Sequence, residues 1–314
     1  MKTCILIIFI LHILSCSILA QEADTANHYE QLEEKYQRLK DSVSRLSPFI
    51  PAVSSVLINH RQLELNFFAS IISANNYRDD DGHLGDLNVR QTYLYRTLQA
   101  TYGVSKHARF NAGVDVNIVM GRIDQDRTSS IFKVFDSGVE GNSRFARAIT
   151  SVAARIRWRP LRRNYNFTIQ SSVIIPTGIS REKQQVLGYN QFFLLSQFLY
   201  NQPLSERLFL FSQLGLQYGF ERDNVPAAFF SPISLYLSYL IPRKTIPFIL
   251  FNYIPMFSKD NSWSYSRYTM QVGGGLQYQI TRRLLVNAYY ANDIKGKNYS
   301  DFNTYSLSLR YVLH

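Results

Sequence analysis

Tyr305-Ser-Leu-Ser-Leu-Arg-Tyr-Val-Leu313 decides the fold. Tyr305, Leu307, Leu309, Tyr311 and Leu313 alternate with Ser306, Ser308 and Arg310. Successive side chains of an extended chain point to opposite faces, so this stretch has one greasy face and one polar face. The same period runs backward through the chain. Met270, Val272, Gly274, Leu276, Tyr278 and Ile280 alternate with Thr269, Gln271, Gly273, Gly275, Gln277 and Gln279. Phe110, Ala112, Val114, Val116 and Ile118 alternate with Arg109, Asn111, Gly113, Asp115 and Asn117. Leu63, Leu65, Phe67, Ala69 and Ile71 alternate with Gln62, Glu64, Asn66 and Ser70, and Phe68 is the exception.

Extended outward, the pattern predicts strands near 62–73, 91–103, 108–120, 148–159, 165–175, 190–201, 207–219, 231–241, 246–257, 267–280, 283–292 and 303–313. Alternation is poor near Arg96 and from Phe248 to Phe257. Connections after the even-numbered strands are short, as in Val104-Ser-Lys-His107, Pro242-Arg-Lys-Thr245 and Thr281-Arg282. Those after odd-numbered strands are mostly longer and polar, at 74–90, 121–147, 176–189 and 220–230. Short turns on one rim and long loops on the other are the arrangement of an outer-membrane barrel. The expectation is therefore an all-β, transmembrane, antiparallel up-and-down barrel of about 12 strands over residues 61–314, with a short N-terminal periplasmic helix.

The residues ahead of the barrel read differently. Lys2, an apolar run from Ile5 to Leu14 and Ser17-Ile-Leu-Ala20 make residues 1–20 a secretory signal. Ile13-Leu-Ser-Cys16 also fits a lipoprotein box that would lipidate Cys16; the apolar Ile18-Leu-Ala20 after it favours cleavage at Ala20. Both cysteines, Cys4 and Cys16, fall inside the signal. A disulfide framework and Cys-ligated metal sites are excluded on that reading. Residues 21–60 form a periplasmic segment. Tyr29, Leu32, Tyr36, Leu39, Val43 and Leu46 make a heptad seam, so an amphipathic helix spans about 28–47, packing on the barrel or joining copies into a homo-oligomer.

The net charge of +11 invites a nucleic-acid reading, but the basic residues gather at the short turns as Lys106, Arg162, Arg163, Arg243, Lys244, Arg282 and Arg283. There they suit anionic headgroups of outer-membrane lipids, with no nucleic acid needed. Tyr102, Trp158, Tyr165, Tyr200, Tyr239, Tyr278 and Tyr311 share outward parity on that rim and read as an aromatic girdle at the membrane interface. Val312-Leu-His314 resembles the closing strand read by the barrel assembly machinery, with His314 in place of the usual terminal aromatic.

Inward parity carries Arg155, Arg157 and Arg159 on one strand, with Arg109 and Arg310 elsewhere, against the acids Asp115 and Glu64. These are the lumen-facing selectivity candidates: a row of arginines biases a pore toward anions. The competing reading is a closed interior knitted by ion pairs, Asp115 reaching an arginine of the neighbouring strand. A loop such as 121–147, or the N-terminal segment, would then block a narrow pore.

Asp79-Asp-Asp-Gly-His83 lacks the spacing of a calcium loop and reads as a solvated loop. No metal site or cofactor is indicated. Twelve-stranded barrels include a phospholipase family that needs a serine beside a histidine on the exterior. His28, His60, His83, His107 and His314 all lie outside mid-strand positions, so no catalytic residue is assigned and an enzyme is disfavoured. A soluble barrel carrier is disfavoured by the strand number and the aromatic rim.

Tyr102-Gly-Val-Ser-Lys-His-Ala-Arg-Phe-Asn-Ala-Gly-Val114, Ile175-Pro-Thr-Gly178, Gly274-Gly-Leu-Gln-Tyr278 and Tyr305–Leu313 resemble segments of a known group. These are roughly twelve-stranded outer-membrane proteins of the transporter type, including those linked to phenol-degradation operons. The resemblance covers residues 61–314, implies passage of small, often aromatic solutes in a Gram-negative outer membrane, and brings no diagnostic residue set. The alternative is a closed structural or partner-binding barrel.

Overall fold

The computed structural model describes residues 56–314 apart from 107, 140, 142, 162, 163, 189, 190, 223, 224, 242, 243, 260, 261 and 314. The expected signal peptide, Cys16, the helix expected at 28–47 and the turn arginines Arg162, Arg163 and Arg243 lie outside the described residues.

The strands are β1 (Leu63–Arg78), β2 (Leu84–Gly103), β3 (Phe110–Asp124), β4 (Arg144–Trp158), β5 (Phe167–Pro176), β6 (Phe193–Pro203) and β7 (Leu208–Gly219), then β8 (Ala228–Phe230), β9 (Ile233–Tyr239), β10 (Thr245–Ser258), β11 (Tyr265–Gln279), β12 (Leu284–Lys297) and β13 (Tyr299–Leu313). Apart from β8 and β9, which do not pair with each other, each pairs antiparallel with its sequence neighbours, and β13 returns to β1, so the sheet closes. β8 and β9 both lie between β7 and β10 and form one stave, broken at Ser231-Pro232 where proline has no N–H to give the ladder. The barrel therefore has 12 staves. Closure pairs the backbone all round and leaves no sheet edge, which is what a membrane demands of strands.

The distribution of polarity is inverted relative to a water-soluble protein. Leu98, Val114, Ile156, Leu194, Leu214, Ile249, Leu276 and Leu307 are exposed on the outside. Asn66, Thr101, Gln170, Gln277, Asn287 and Ser308 are buried inside. An apolar surface on this scale is stable only against lipid.

The strands outrun the sequence expectation. β2 has 20 residues, where about 9–11 tilted residues cross a bilayer. The long connection expected at 74–90 is mostly strand, and residues 79–83 alone make the turn. β12 and β13 meet across Asn298, which adopts φ 51°. Beyond the membrane both faces of a hairpin are wet, so it carries no alternating signal.

β4 holds one irregularity with large consequences. Asn117 pairs with Ser151 and Ile118 with Ile149, leaving Thr150 as an extra residue. This bulge reverses the parity of the upper half of β4. Val152, Ile156 and Trp158 face out below it; above it Ile149 and Arg147 face out, and Ala146 is buried inside.

The two long loops go to opposite sides of the wall. Residues 177–192 carry the helix α1 (Arg181–Leu187), whose Val186 and Leu187 pack on Val119, Ala146, Tyr95 and Ala148, all of inward parity. The 3₁₀ turn Ile131–Phe135 instead packs Val134 on Leu94, Met120 and Ile71, all of outward parity. The expectation that a loop within 121–147 blocks the pore is thus corrected. That loop covers the outer wall, and the loop after β5 enters the lumen.

Candidate functional site: the barrel interior

The short-turn half of the lumen is built on β13, β1, β2, β3 and β4. Arg310 Nε donates to Glu64 Oε2 at 2.6 Å, a second guanidinium nitrogen meets the same oxygen, and Asn66 Nδ2 donates to Oε1 at 2.9 Å. Arg155 lies 3.1 Å from Asp115 and donates to Thr101 Oγ1 at 2.7 Å and Gln99 Oε1 at 2.9 Å. Its guanidinium lies across Gly113. Arg157 donates twice to Gln170 Oε1, at 2.6 and 2.9 Å, and Gln170 passes the chain to Gln197 at 2.6 Å.

Arg159 and Arg109 stand nearer the rim. The Arg159 guanidinium sits 4.1 Å from the centroid of Tyr165, a cation–π distance. Arg159 N–H donates to the Arg109 carbonyl at 3.0 Å, and Arg109 is half-buried. Arg155, Arg157, Arg159, Arg310, Glu64 and Asp115 are all buried. The structure thus brings five of the seven lumen candidates into the interior, with Arg159 and Arg109 at its short-turn edge. Tyr102, Trp158, Tyr165, Tyr239, Tyr278 and Tyr311 are exposed on the outside, while Tyr200 is half-buried and donates to Gln202 at 2.6 Å.

Below this cluster the chain crosses the mouth. Arg61 N–H donates to Gly103 O and Gly103 N–H to Gln62 O, both at 2.9 Å. Leu57 and Ile58 are buried, and Asn111 takes the Ile58 N–H at 3.0 Å. Gly103 is required here, because a Cβ would stand 1.8 Å from Asn59 O.

The opposite wall is aromatic. Phe211, Tyr236, Phe248 and Tyr289 follow one another around the interior, with centroid separations of 5.9, 5.9 and 6.4 Å. Leu250 and Ala291 are buried with them. The rings lie over β11, where a Cβ on Gly275 would come within 2.6 Å of Phe248 Cζ. In strand order β7, β9 and β10 stand across the barrel from the arginine-bearing staves, while β12, with Tyr289, adjoins β13, which carries Arg310. The sequence reading passed over this wall and took the interior as polar. The signal was present at Phe248 to Leu250, where a strand apolar at both parities has grease on the lumen side as well.

A cavity of about 180 Å³ is lined by Tyr95, Thr97, Asn117, Val119, Ile174 and Phe193. α1 packs closely on β3 at Gly121, where a Cβ would meet Leu187 Cδ2 at 3.0 Å.

A closed twelve-stave barrel, apolar outside and charged inside, is the decisive geometry. The chain has the fold of the outer-membrane channels. An outer membrane channel of Pseudomonas putida F1 superposes with a TM-score of 0.63 at 11% identity, covering 82% of this chain and 98% of that one. The beta domain of the Bordetella autotransporter BrkA gives 0.52 at 10% identity, covering 79% and 99%. At these identities the likeness is one of fold. No family model matches the sequence, and no curated protein matches it either.

Proposed function

We propose that the protein is a narrow outer-membrane channel for small anionic solutes with an aromatic or otherwise apolar part. The observation that carries this reading is the two-walled interior. Five arginines (Arg109, Arg155, Arg157, Arg159, Arg310) stand with two acids (Glu64, Asp115) on one side. The ring ladder Phe211–Tyr236–Phe248 stands on the other and reaches back through Tyr289 on β12 toward β13. Excess positive charge in a low-dielectric wall raises the local concentration of anions. Rings offer a carbon skeleton a surface that water does not. Gln277 Oε1, Asn287 Oδ1 and Asn252 Oδ1 are buried without a partner among the described residues, and groups of that kind are met by water or a polar solute.

Conductance of the full-length barrel in a planar bilayer under a salt gradient tests the proposal. The expected reversal potential is that of an anion-favouring pore, moving toward zero in Arg157→Gln/Arg159→Gln. A folded barrel that is cation-selective, or whose selectivity ignores the substitution, would sink it.

A second reading has its own support. Arg155, Arg157 and Arg310 are buried and bonded, and α1 is seated inside. This favours a closed structural or partner-binding barrel. A folded protein that stays silent even after α1 is displaced would decide for it.

A further inference from the structure

We infer that the outer wall between β2 and β4 holds a binding site for one phosphorylated glycolipid of the outer leaflet, with Arg96 and Arg147 on its phosphates and Phe132 and Phe135 among its acyl chains. The inference stands on the closed barrel in its membrane and is independent of what passes through the lumen.

The strand register supplies the geometry. Leu307, Ala69, Arg96, Ile118 and Ile149 are paired in one row across β13, β1, β2, β3 and β4. Directly paired residues share a face, and Leu307 and Ile149 are exposed on the outside. Arg96 is therefore an outward arginine in an otherwise apolar row. The next row holds Tyr290, Tyr305, Ile71, Leu94, Met120 and Arg147. Tyr290 and Tyr305 are exposed, with ring centroids 5.1 Å apart. Paired outward tyrosines mark the headgroup level toward the long-loop rim. Arg147 is in their row only because the Thr150 bulge reverses parity; continued from Val152, it would point into the lumen.

Neither arginine has a hydrogen bond or ion pair among the described residues, and Arg96 Nε is buried without a partner. Asp124, an acid of outward parity on β3, is taken by Arg122 at 2.7 Å and Ser129 at 3.0 Å. Two cations at the edge of the hydrocarbon, flanking β3 and without an acid partner among the described residues, call for an anion delivered by the membrane. Strand spacing and one residue pair put their backbones about 12 Å apart. Long flexible side chains can converge from that separation on the phosphates of one headgroup.

The loop supplies the apolar half. Val134 is wholly buried against Leu94 and Met120, and this pins the 3₁₀ turn to the wall just above Arg96. The same anchoring turns Phe132 and Phe135 outward, 65% and 57% exposed. Beside Ile149 and Val152 they extend the lipid-facing surface past the strands. Anionic phospholipid offers a single phosphate. The pair of arginines in adjacent rows suits a lipid with two, which is why the glycolipid is the chosen occupant.

The test uses the refolded full chain in detergent and native mass spectrometry with three probes: bis-phosphorylated lipid A, its dephosphorylated form, and phosphatidylglycerol. Wild type is expected to retain one lipid A, with at least ten-fold weaker retention of the other two. Arg96→Gln/Arg147→Gln should lose lipid A by a similar factor, and Phe132→Ser/Phe135→Ser by less. Equal retention of the dephosphorylated lipid would overturn the site. So would equal retention of phosphatidylglycerol, or an undiminished double variant. Should the double variant fail to fold, the exposed Arg147→Gln alone must weaken lipid A at least three-fold, and an unchanged affinity overturns the proposal.

Discussion

Replacing Glu64 by glutamine removes one charge from the lower lumen and almost no volume, and its cost measures how dry that lumen is. In the native barrel two guanidinium nitrogens of Arg310 converge on one carboxylate oxygen, one of them at 2.6 Å, and Asn66 holds the other oxygen at 2.9 Å. Glu64 is 3% and Arg310 6% exposed. Breaking a buried pair by removing one partner costs about 3–5 kcal/mol, because the remaining charge is stranded. A solvated pair is worth about 0–1 kcal/mol. The glutamine oxygen can still accept from Arg310, so the expected loss is at the low end of the buried range, about 3 kcal/mol.

The assay is reversible urea unfolding of the full-length barrel in lipid vesicles, read by tryptophan fluorescence. Glu64→Gln should lower the free energy by that amount. Arg310→Met added to it should recover part of the loss, since the stranded cation is gone. Recovery should be incomplete, because Arg157 also feels the Glu64 charge. A single-variant loss below about 1 kcal/mol, with no coupling in the double variant, would show the pair to be bathed in water. That result would refute the packed lower lumen and favour an open pore at this level.

Three further expectations follow from other parts of the barrel. Gly275→Val places a Cβ 2.6 Å from Phe248 and should destabilise by about 1–3 kcal/mol in the same unfolding assay, whereas the outward Gly274→Val should be much milder. Asp79 accepts N–H bonds from His83 at 2.8 Å and Asp81 at 3.0 Å, and the His83 bond above all holds its carboxyl below the ordinary 3.8. A depressed carboxylate stabilises above its unfolded pKa and loses that contribution as pH falls through the folded one. Protection of the 81–83 amides, taken relative to the intrinsic exchange rate, should therefore fall below pH 3.8, and Asp79→Asn should show the low protection at neutral pH; a pH-independent protection would remove the carboxylate from the turn. Leu187→Glu puts a charge against Val119 and Gly121 and should unseat α1, raising single-channel conductance at unchanged melting behaviour; an unchanged conductance would mean α1 is no barrier.

How much of this was legible depends on how many environments a residue's neighbours report. Along β13 each residue meets either lipid or lumen, so Tyr305–Leu313 alone declares the fold. Arg155 and Arg157 were readable as lumenal for the same reason. The upper strands were not, because Asn75, Asn76 and their partners meet water on both faces and need no alternation. Phe248–Leu250 was obscured for the opposite reason, being apolar on both sides. Which loop enters the barrel rests on the parity of the residues that anchor it. One extra residue at Thr150 resets that parity in β4, and no composition or hydropathy reading reports a bulge.

The inward glycines nevertheless hold information that parity alone does not. Gly103 sits under the chain that crosses the mouth, Gly113 under Arg155, Gly121 under Leu187 and Gly275 under Phe248. At each an added Cβ would press on a group in the lumen, and at Gly113 and Gly275 it would also meet a neighbouring strand's carbonyl, Ala100 O at 2.7 Å and Ala288 O at 2.3 Å. A strand interior is a poor place for glycine on propensity alone, so an inward glycine in a barrel marks close approach by another group. Gly103, Gly113 and Gly121 climb β2 and β3 from the short-turn mouth toward the long-loop rim, and they trace the crossing segment, the arginine layer and the helix in that order. Gly275 marks the aromatic layer on the far wall. Filling Gly103 or Gly121 would press on the crossing segment or on Leu187 of α1, whereas filling Gly113 or Gly275 would strain the wall itself as well as Arg155 or Phe248.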